Sequence, residues 1–185
     1  MMNGVVVFLM VVVVANAQTS FQGRCPDVQT KRNFNLKKFS GKWFEAERYF
    51  GGIEKGGKCV TAEYNLRRNG RATLRYKLID SIYSPSIEAF GKVSKNDPAK
   101  LSFHFPSIDV DSPYWILATD YKNYAVVWSC AEFESYDYSI RGAWILTRSK
   151  NPTSRIIQKA YSALDKNGIS KIYFVQTNQT NCPLN

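Results

Sequence analysis

The sequence is poor in the side chains that most hydrolytic and metal-binding sites require. It contains one histidine, His104, and four cysteines that lie too far apart in the chain for a compact zinc motif. Leu101, Phe103 and Phe105 alternate with Ser102 and His104, which places the histidine on the solvent side of a predicted strand. From that side it cannot activate a buried serine or cysteine or ligate an internal haem. We therefore expect no catalytic residue and no metal site.

Long apolar runs are missing beyond the N-terminus. The run from Val5 to Ala15 is shorter than the roughly 20 residues that span a bilayer. It ends in Ala15-Asn16-Ala17, a small-x-small pattern that signal peptidase cleaves, although no positively charged segment precedes the run. The pattern predicts a signal peptide at residues 1–17, one domain at residues 18–185, and secretion to the extracellular space.

Acidic residues are scarce relative to basic ones. The chain has 15 aspartates and glutamates against 25 lysines and arginines, which gives a formal net charge of +10. A basic surface favours anionic partners in general. No nucleic-acid-binding motif surrounds the densest basic group, Arg67, Arg68 and Arg71, so nucleic acid is not an expected partner.

The cysteines are Cys25, Cys59, Cys130 and Cys182. An even number in a secreted chain predicts two disulfides, and three pairings are open on the residues alone. Asn178-Gln179-Thr180 is an acceptor sequence for N-linked glycosylation. We expect a glycan on Asn178 if that residue is exposed.

Short apolar runs separated by turn residues are abundant, a spacing typical of an antiparallel sandwich or barrel. Two of these runs, at residues 60–67 and 71–78, alternate between apolar and polar residues. The intervening Asn69-Gly70 is a strong turn signal. The two runs therefore predict a hairpin with one dry face and one wet face.

The later runs are apolar on both faces and need a cover on each side. They lie at Tyr114–Ala118, Tyr124–Ser129 and Ala143–Thr147. A helix that begins at Asn151 and Pro152 and ends at Gly168 can supply one cover. Its predicted apolar stripe is Ile156, Ile157, Ala160, Tyr161 and Leu164. A last strand is predicted at Lys171–Gln176.

A single sheet closed on itself would bury the second apolar face of every strand. We therefore predict an all-β fold, an eight-stranded antiparallel up-and-down β-barrel with one C-terminal α-helix packed outside and a short ninth strand. Small inward residues, Ala62, Ala72, Ala89 and Gly91, would leave room inside for one small ligand. The alternative is a barrel that its own side chains fill.

Three short motifs occur in order between the predicted strands. They are Gly41-Lys42-Trp43 at the first barrel strand, Thr119-Asp120-Tyr121 between the sixth and seventh, and Arg148 after the eighth. Together they resemble the lipocalin family, and the resemblance extends from about Cys25 to Pro183. It implies that Arg148 lies across the Trp43 indole at the closed end of the barrel, a structural role.

The resemblance also implies disulfides Cys25–Cys130 and Cys59–Cys182, and the binding and transport of a small hydrophobic ligand. Candidate ligand contacts by alternation are Tyr64, Leu66, Leu74, Tyr76, Leu101, Phe103 and Phe105. Trp144 joins them by the family pattern. For each residue the alternative is simple core packing.

An apolar interior with a few phenolic hydroxyls suits a fatty acid, steroid, retinoid or similar lipid. The family includes carriers of bilins and carotenoids, so a tetrapyrrole or carotenoid pigment is the alternative ligand. No other cofactor is expected. The residues make no prediction about oligomeric state.

Glu45 and Glu47 are two residues apart, so alternation places both on one side of a strand. Two carboxylates can form a glycosidase site. No cleft pattern accompanies them, and Arg48 or Lys42 can neutralise the pair. We interpret both as ordinary strand residues and expect no enzymatic activity, with a lipid-modifying enzyme as the weaker alternative.

The family topology places four loops around the open mouth of the barrel. They are Phe50–Gly57, Ser81–Pro85, Pro106–Ser112 and Ala131–Ile140. Ile108 and Val110 make the third loop apolar at its tip. Such a tip either contacts a membrane or lipoprotein surface or folds over the mouth as a lid.

Overall fold

The computed structural model describes residues 20–49, 57–67, 71–79, 86–133, 135 and 137–183. The predicted signal peptide, the Asn69-Gly70 turn and most of the first two mouth loops lie outside these residues. Within them the chain forms ten strands and two α-helices.

The strands are β1 (Ser20–Gln22), β2 (Gly41–Tyr49), β3 (Lys58–Leu66), β4 (Ala72–Ile79), β5 (Ser86–Val93), β6 (Lys100–Phe105), β7 (Val110–Thr119), β8 (Tyr124–Phe133), β9 (Tyr138–Thr147) and β10 (Phe174–Gln176). The helices are α1 (Leu36–Phe39) and α2 (Ser154–Lys166), and a 3₁₀ turn covers Lys171–Tyr173.

Strands β2 to β9 form the barrel. Each pairs antiparallel with the next in the chain, and β9 pairs with β2 to close the sheet. The predicted eight-stranded barrel is therefore confirmed. The predicted ninth strand is β10, which pairs with β2, but the first half of its predicted range is the 3₁₀ turn. Strand β1, which pairs with β9, was not predicted.

Two apolar cores lie on opposite sides of the barrel wall. The inner core fills the barrel and includes Trp43, Tyr64, Phe103 and Tyr114. The outer core lies between the sheet and α2, where Ala160 and Leu164 pack with residues such as Trp128. Strands β7 to β9 are apolar on both faces because they contribute to both cores.

Helix α2 begins two residues later than the sequence predicts. Thr153 is its N-cap, whereas the backbone N–H of Asn151 donates to the hydroxyl of Ser149. This hydrogen bond to the Ser149 side chain holds Asn151 in a turn before the helix. The predicted end is confirmed, since Gly168 has φ +63° and follows the C-cap Asn167.

Arg148 and Trp43 close one end of the barrel, which we call the floor. The guanidinium carbon of Arg148 lies 3.7 Å from the centroid of the Trp43 ring. The guanidinium also donates to the carbonyl oxygens of Phe39, Ser40, Lys42 and Tyr121 at 2.7–3.2 Å. One side chain thus joins α1, β2 and the β7–β8 turn, which confirms the structural arrangement that the motifs implied.

The other motif residues shape the backbone around this contact. Gly41 has φ +97°, and a β-carbon there would lie 3.3 Å from Nη1 of Arg148. Asp120 accepts hydrogen bonds from the backbone N–H groups of Lys122, Asn123 and Tyr124. Burial alone would raise the pKa of Asp120, but these bonds and one from the Asn123 side chain lower it below its usual value.

A β-bulge interrupts the pairing of β2 with β9. Glu45 pairs with Leu146 and Glu47 pairs with Ile145, so Ala46 is the extra residue. A bulge reverses the side-chain alternation beyond it. Glu45 faces the barrel interior and Glu47 faces α2. The expectation that the two glutamates share one side of the strand is therefore wrong.

Glu47 is buried between β2 and α2, where it accepts hydrogen bonds from the hydroxyl of Tyr161 at 2.8 and 3.0 Å. Burial raises the pKa of Glu47 above 4.5, and the Tyr161 hydrogen bond offsets part of that rise. Burial, as the larger cause, and the contact with Glu47 together raise the pKa of Tyr161 to about 12.

The C-terminal segment completes the barrel wall where β2 and β3 separate. These strands pair only between Gly41–Phe44 and Thr61–Tyr64. Beyond that, the side-chain amide of Gln179 donates to the carbonyl oxygens of Glu45 and Val60 and bridges the gap. Both implied disulfides, Cys25–Cys130 and Cys59–Cys182, are present, and the second anchors this segment to β3.

Replacing Trp43 by alanine should lower the free energy of unfolding by about 3–5 kcal/mol, because the indole is fully buried beneath Arg148. Phe44→Ala is the matched control, since Phe44 is the next residue and is only partly buried, on the outer face. We expect the control to lose about 1 kcal/mol. Urea unfolding measures both, and equal losses would contradict the proposed role of the floor contact.

Replacing Glu47 by glutamine should change how stability depends on pH. The folded protein binds the Glu47 proton more tightly than the unfolded chain does, so this residue's contribution to stability falls as pH rises from 4.5 through its raised pKa. A glutamine side chain at this position does not titrate and can still accept a hydrogen bond from Tyr161.

We therefore expect the free energy of unfolding of Glu47→Gln, relative to the unsubstituted protein, to increase between about pH 4.5 and pH 7. Urea titrations at several pH values measure the difference. A difference that stays constant or decreases over this interval would show that the folded state does not raise the pKa of Glu47.

Candidate functional site

The barrel interior changes from closed to accessible along its axis. At the floor, Trp43, Tyr64 and Phe103 are at most 1% exposed. Toward the opposite end, which we call the mouth, Phe105 and Trp144 are only partly buried although they pack against the same inner core. The interior is therefore filled at the floor and accessible above it.

Seven of the eight predicted ligand contacts face this interior. Tyr64, Leu74, Tyr76, Leu101 and Phe103 belong to the buried inner core, and Phe105 and Trp144 pack against it. Leu66 does not, because it is 43% exposed at the end of β3. Strand β3 extends past Tyr64, which already pairs with the first residue of β2, so Leu66 lies beyond the barrel floor.

The small inward residues do not all provide empty space. A β-carbon on Gly91 would lie 2.7 Å from the Phe103 ring and 2.9 Å from the β-carbon of Ala72. The room that Gly91 and Ala72 leave is therefore occupied by Phe103. At this level of the barrel the expectation of an open interior is wrong.

Above Phe103 the interior has an aromatic wall. The rings of Trp144 and Tyr114 stack at a centroid distance of 5.7 Å, and the rings of Tyr114 and Phe103 form a T-shaped pair with centroids 5.3 Å apart. Gly142 permits this position of Trp144, because a β-carbon there would lie 2.7 Å from the indole. The hydroxyls of Tyr64 and Tyr114 hydrogen-bond to each other, and burial raises the pKa of Tyr64 well above its usual value.

A charged pair, Glu45 and Arg48, lies beside this wall and was not predicted. Nη1 of Arg48 donates to Oε1 of Glu45 at 2.7 Å. The hydroxyl of Tyr76 donates to Oε2 at 2.6 Å, and Thr177 bridges Oε1 of Glu45 and Nη1 of Arg48. Glu45 is 0% exposed and Arg48 is 6% exposed.

Alternation could not find this pair, because only the bulge at Ala46 turns Arg48 to the same side as Glu45. The available signal was composition. Three charged residues lie between the aromatic residues Phe44 and Tyr49 of one strand, which indicates that some of them need internal partners.

The residues considered for catalysis are not brought together. Glu45 and Glu47 lie on opposite faces of β2, so they cannot flank one substrate. His104 lies on the outer face, where Nδ1 is 3.2 Å from Oδ1 of Asp111. Among the described residues, no three His, Cys, Asp or Glu side chains are arranged to hold a metal ion.

Two grooves on the outer surface differ chemically from the interior. One, of about 280 Å³, is lined by Lys42, Glu63, Arg75 and Lys77. The other, of about 160 Å³, is lined by Gly23, Arg24, Glu132, Phe133, Asp137 and Tyr138. Charged walls do not suit an apolar ligand, so the aromatic interior is the better site for one.

The apolar tip of the third mouth loop points to solvent. Ile108 is 58% exposed and Val110 is 46% exposed. These two side chains therefore do not form the lid that was one of the two alternatives.

The sequon asparagine is exposed. Its side-chain oxygen accepts hydrogen bonds from the backbone N–H and the hydroxyl of Thr180, and its backbone carbonyl accepts from Cys59. Asn178 thus meets the condition of exposure that glycosylation requires.

No α-helix in the described part of the chain combines the length and the apolar character needed to cross a bilayer.

Known proteins are similar to this chain in both sequence and architecture. A family model described as "Lipocalin / cytosolic fatty-acid binding protein family" matches residues 40–181. Apolipoprotein D of Mus musculus is 36% identical over 171 residues, covering 91% of this chain and 89% of that protein. The Lazarillo protein of Schistocerca americana is 31% identical over 162 residues, covering 84% and 75%.

Among solved structures, insecticyanin from the tobacco hornworm Manduca sexta matches with a TM-score of 0.78 at 25% identity, covering 88% of this chain and 89% of that one. The family model, the relatives above 30% identity and the closed barrel agree. The chain belongs to the lipocalin family.

Proposed function

We propose that this protein binds a small hydrophobic ligand reversibly inside its barrel and transports it. The observation that carries the proposal is the exposure gradient of the interior, from a filled floor to the accessible aromatic side chains Phe105 and Trp144. Membership of a family described as lipocalins and fatty-acid binding proteins supports it. No chemical step is required, and the separation of Glu45 from Glu47 argues against one.

Burial of the ligand's apolar surface would drive binding, at about 25 cal/mol per Å² removed from water. The phenol groups of Tyr76 and Tyr114 would orient a ligand that carries one hydrogen-bonding group. A fatty acid, steroid, retinoid or similar lipid has this combination of a large apolar body and few polar atoms.

A pigment is the second candidate ligand. The stacked Trp144 and Tyr114 rings present a flat aromatic surface that suits the conjugated plane of a bilin or carotenoid. The visible absorption spectrum of the natively purified protein separates the two ligand classes, because only a pigment complex absorbs there.

We further propose that the protein is secreted. Two disulfides and no free cysteine among the described residues suit an oxidising compartment. An exposed Asn178 is then available for a glycan. The exposed Ile108 and Val110 support a contact with a membrane or lipoprotein surface at the mouth, which we propose as their role.

Replacing Trp144 by alanine should weaken binding of a lipophilic fluorescent probe at least about tenfold, because it removes half of the aromatic wall. Trp115→Ala is the matched control. Trp115 is also partly buried and adjoins Tyr114 in the chain, but it packs against the outer core.

We expect the control to bind the probe within about twofold of the unsubstituted protein. Fluorescence titration measures the dissociation constants, and circular dichroism establishes that both variants are folded. Equal losses in the two variants, or a folded protein that binds no apolar probe at all, would overturn the proposed function.

A further inference from the structure

The Glu45–Arg48 pair lies at the depth that the inner end of a ligand would reach. Trp43, the inward residue just before Glu45 in β2, belongs to the filled floor. Arg48 pairs across the β2–β9 ladder with Trp144, which belongs to the accessible aromatic wall. The pair therefore borders the boundary between packed floor and accessible interior.

Among the residues that the structure describes, no other charge balances this pair from the interior. The inward positions of β3 to β9 are occupied by apolar, aromatic and hydroxyl-bearing residues, and the described ones include no further Lys, Arg, Asp or Glu. The two charges neutralise each other at 2.7 Å. The described interior thus has a formal charge of zero.

The hydrogen bonds that Arg48 makes within the protein also reduce its attraction for a second anion. Nη1 of Arg48 already donates to Glu45 and Thr177, and Thr177 is fixed because its backbone N–H donates to the carbonyl oxygen of Ala46. Glu45 is held in turn by Tyr76 and Thr177. The positive charge of Arg48 is therefore already paired with a negative charge within the protein.

We propose that the Glu45–Arg48 pair makes the inner end of the binding site selective for uncharged ligand groups over carboxylates. This inference rests on the proposed ligand-binding function. A carboxylate at this depth would add an uncompensated negative charge beside Glu45 in an apolar interior, which is costly. A hydroxyl or amide group can instead donate to the phenol oxygen of Tyr76, whose own proton is donated to Glu45, and an ester or ketone group enters with no cost in charge burial.

The test compares one ligand in two charge states. The probes are a fluorescent conjugated polyene fatty acid and the methyl ester of the same acid, which differ only at the head group. Fluorescence titration at neutral pH gives both dissociation constants. Their ratio is insensitive to the fraction of protein that is active, because both are measured on the same sample.

In the unsubstituted protein we expect the ester to bind at least about tenfold more tightly than the acid. Glu45→Gln should shift the ratio toward the acid by at least about tenfold, since Arg48 loses its internal counter-ion and can pair with the ligand carboxylate. Glu47→Gln is the matched control, because Glu47 faces α2 outside the barrel, and it should leave the ratio unchanged.

A second measurement uses the unsubstituted protein alone, so it does not depend on the folding of the variant. As the pH falls through the range in which the ligand carboxyl is protonated, about 4 to 5, the affinity for the acid should approach the affinity for the ester. The ester provides the internal control for any general loss of binding at low pH.

Equal affinities of the unsubstituted protein for acid and ester would overturn this proposal, since the carboxylate would then remain in water at the mouth. The same shift in Glu45→Gln and Glu47→Gln would also overturn it. In both cases the proposed transport function would stand. Binding of neither probe by the folded protein would instead refute the transport function, and this proposal with it.

Discussion

The pairing of β9 with β2 is the constraint on which the rest of the structure depends. It closes the sheet, so every barrel strand has an inner face to bury, and it brings Arg148 at the end of β9 onto Trp43 at the start of β2. Without closure, residues separated by about a hundred positions would not meet at the floor. The filled floor in turn defines how deep a ligand can enter.

The bulge within this pairing divides β2 between two environments. Before Ala46 the strand contributes Trp43 and Glu45 to the interior, and after it the inward residue is Arg48 while Glu47 faces α2. The one extra residue therefore places Arg48 beside Glu45 in the interior. It also places Glu47 against the helix, where it accepts a hydrogen bond from Tyr161. The C-terminal segment is held against the same strand, and Thr177 completes the internal pair.

The parts that sequence predicted correctly are those governed by local periodicity or by recognisable motifs. The two-residue repeat placed Leu74 and Tyr76 inside the barrel, and the doubly apolar strands correctly required an external helix. The predictions from sequence failed where residues of other strands determine the exposure or the surroundings of a side chain. Leu66 is exposed because β2 begins too late to cover it, and Phe103 fills the space at Gly91 because the ring crosses from the paired strand β6.

The sequence by itself determined the eight strands of the barrel, the family and the closed end of the barrel, because alternation and the Gly-x-Trp, Thr-Asp-Tyr and Arg motifs can be recognised in the residues themselves. Only the tertiary structure decided which side of the wall Glu45, Glu47 and Arg48 occupy. A bulge depends on how two strands pair, and no residue of β2 alone specifies its position. The ion pair inside the barrel, and with it the proposed selectivity for uncharged ligands, therefore follows from strand pairing and not from the alternation of residues along β2.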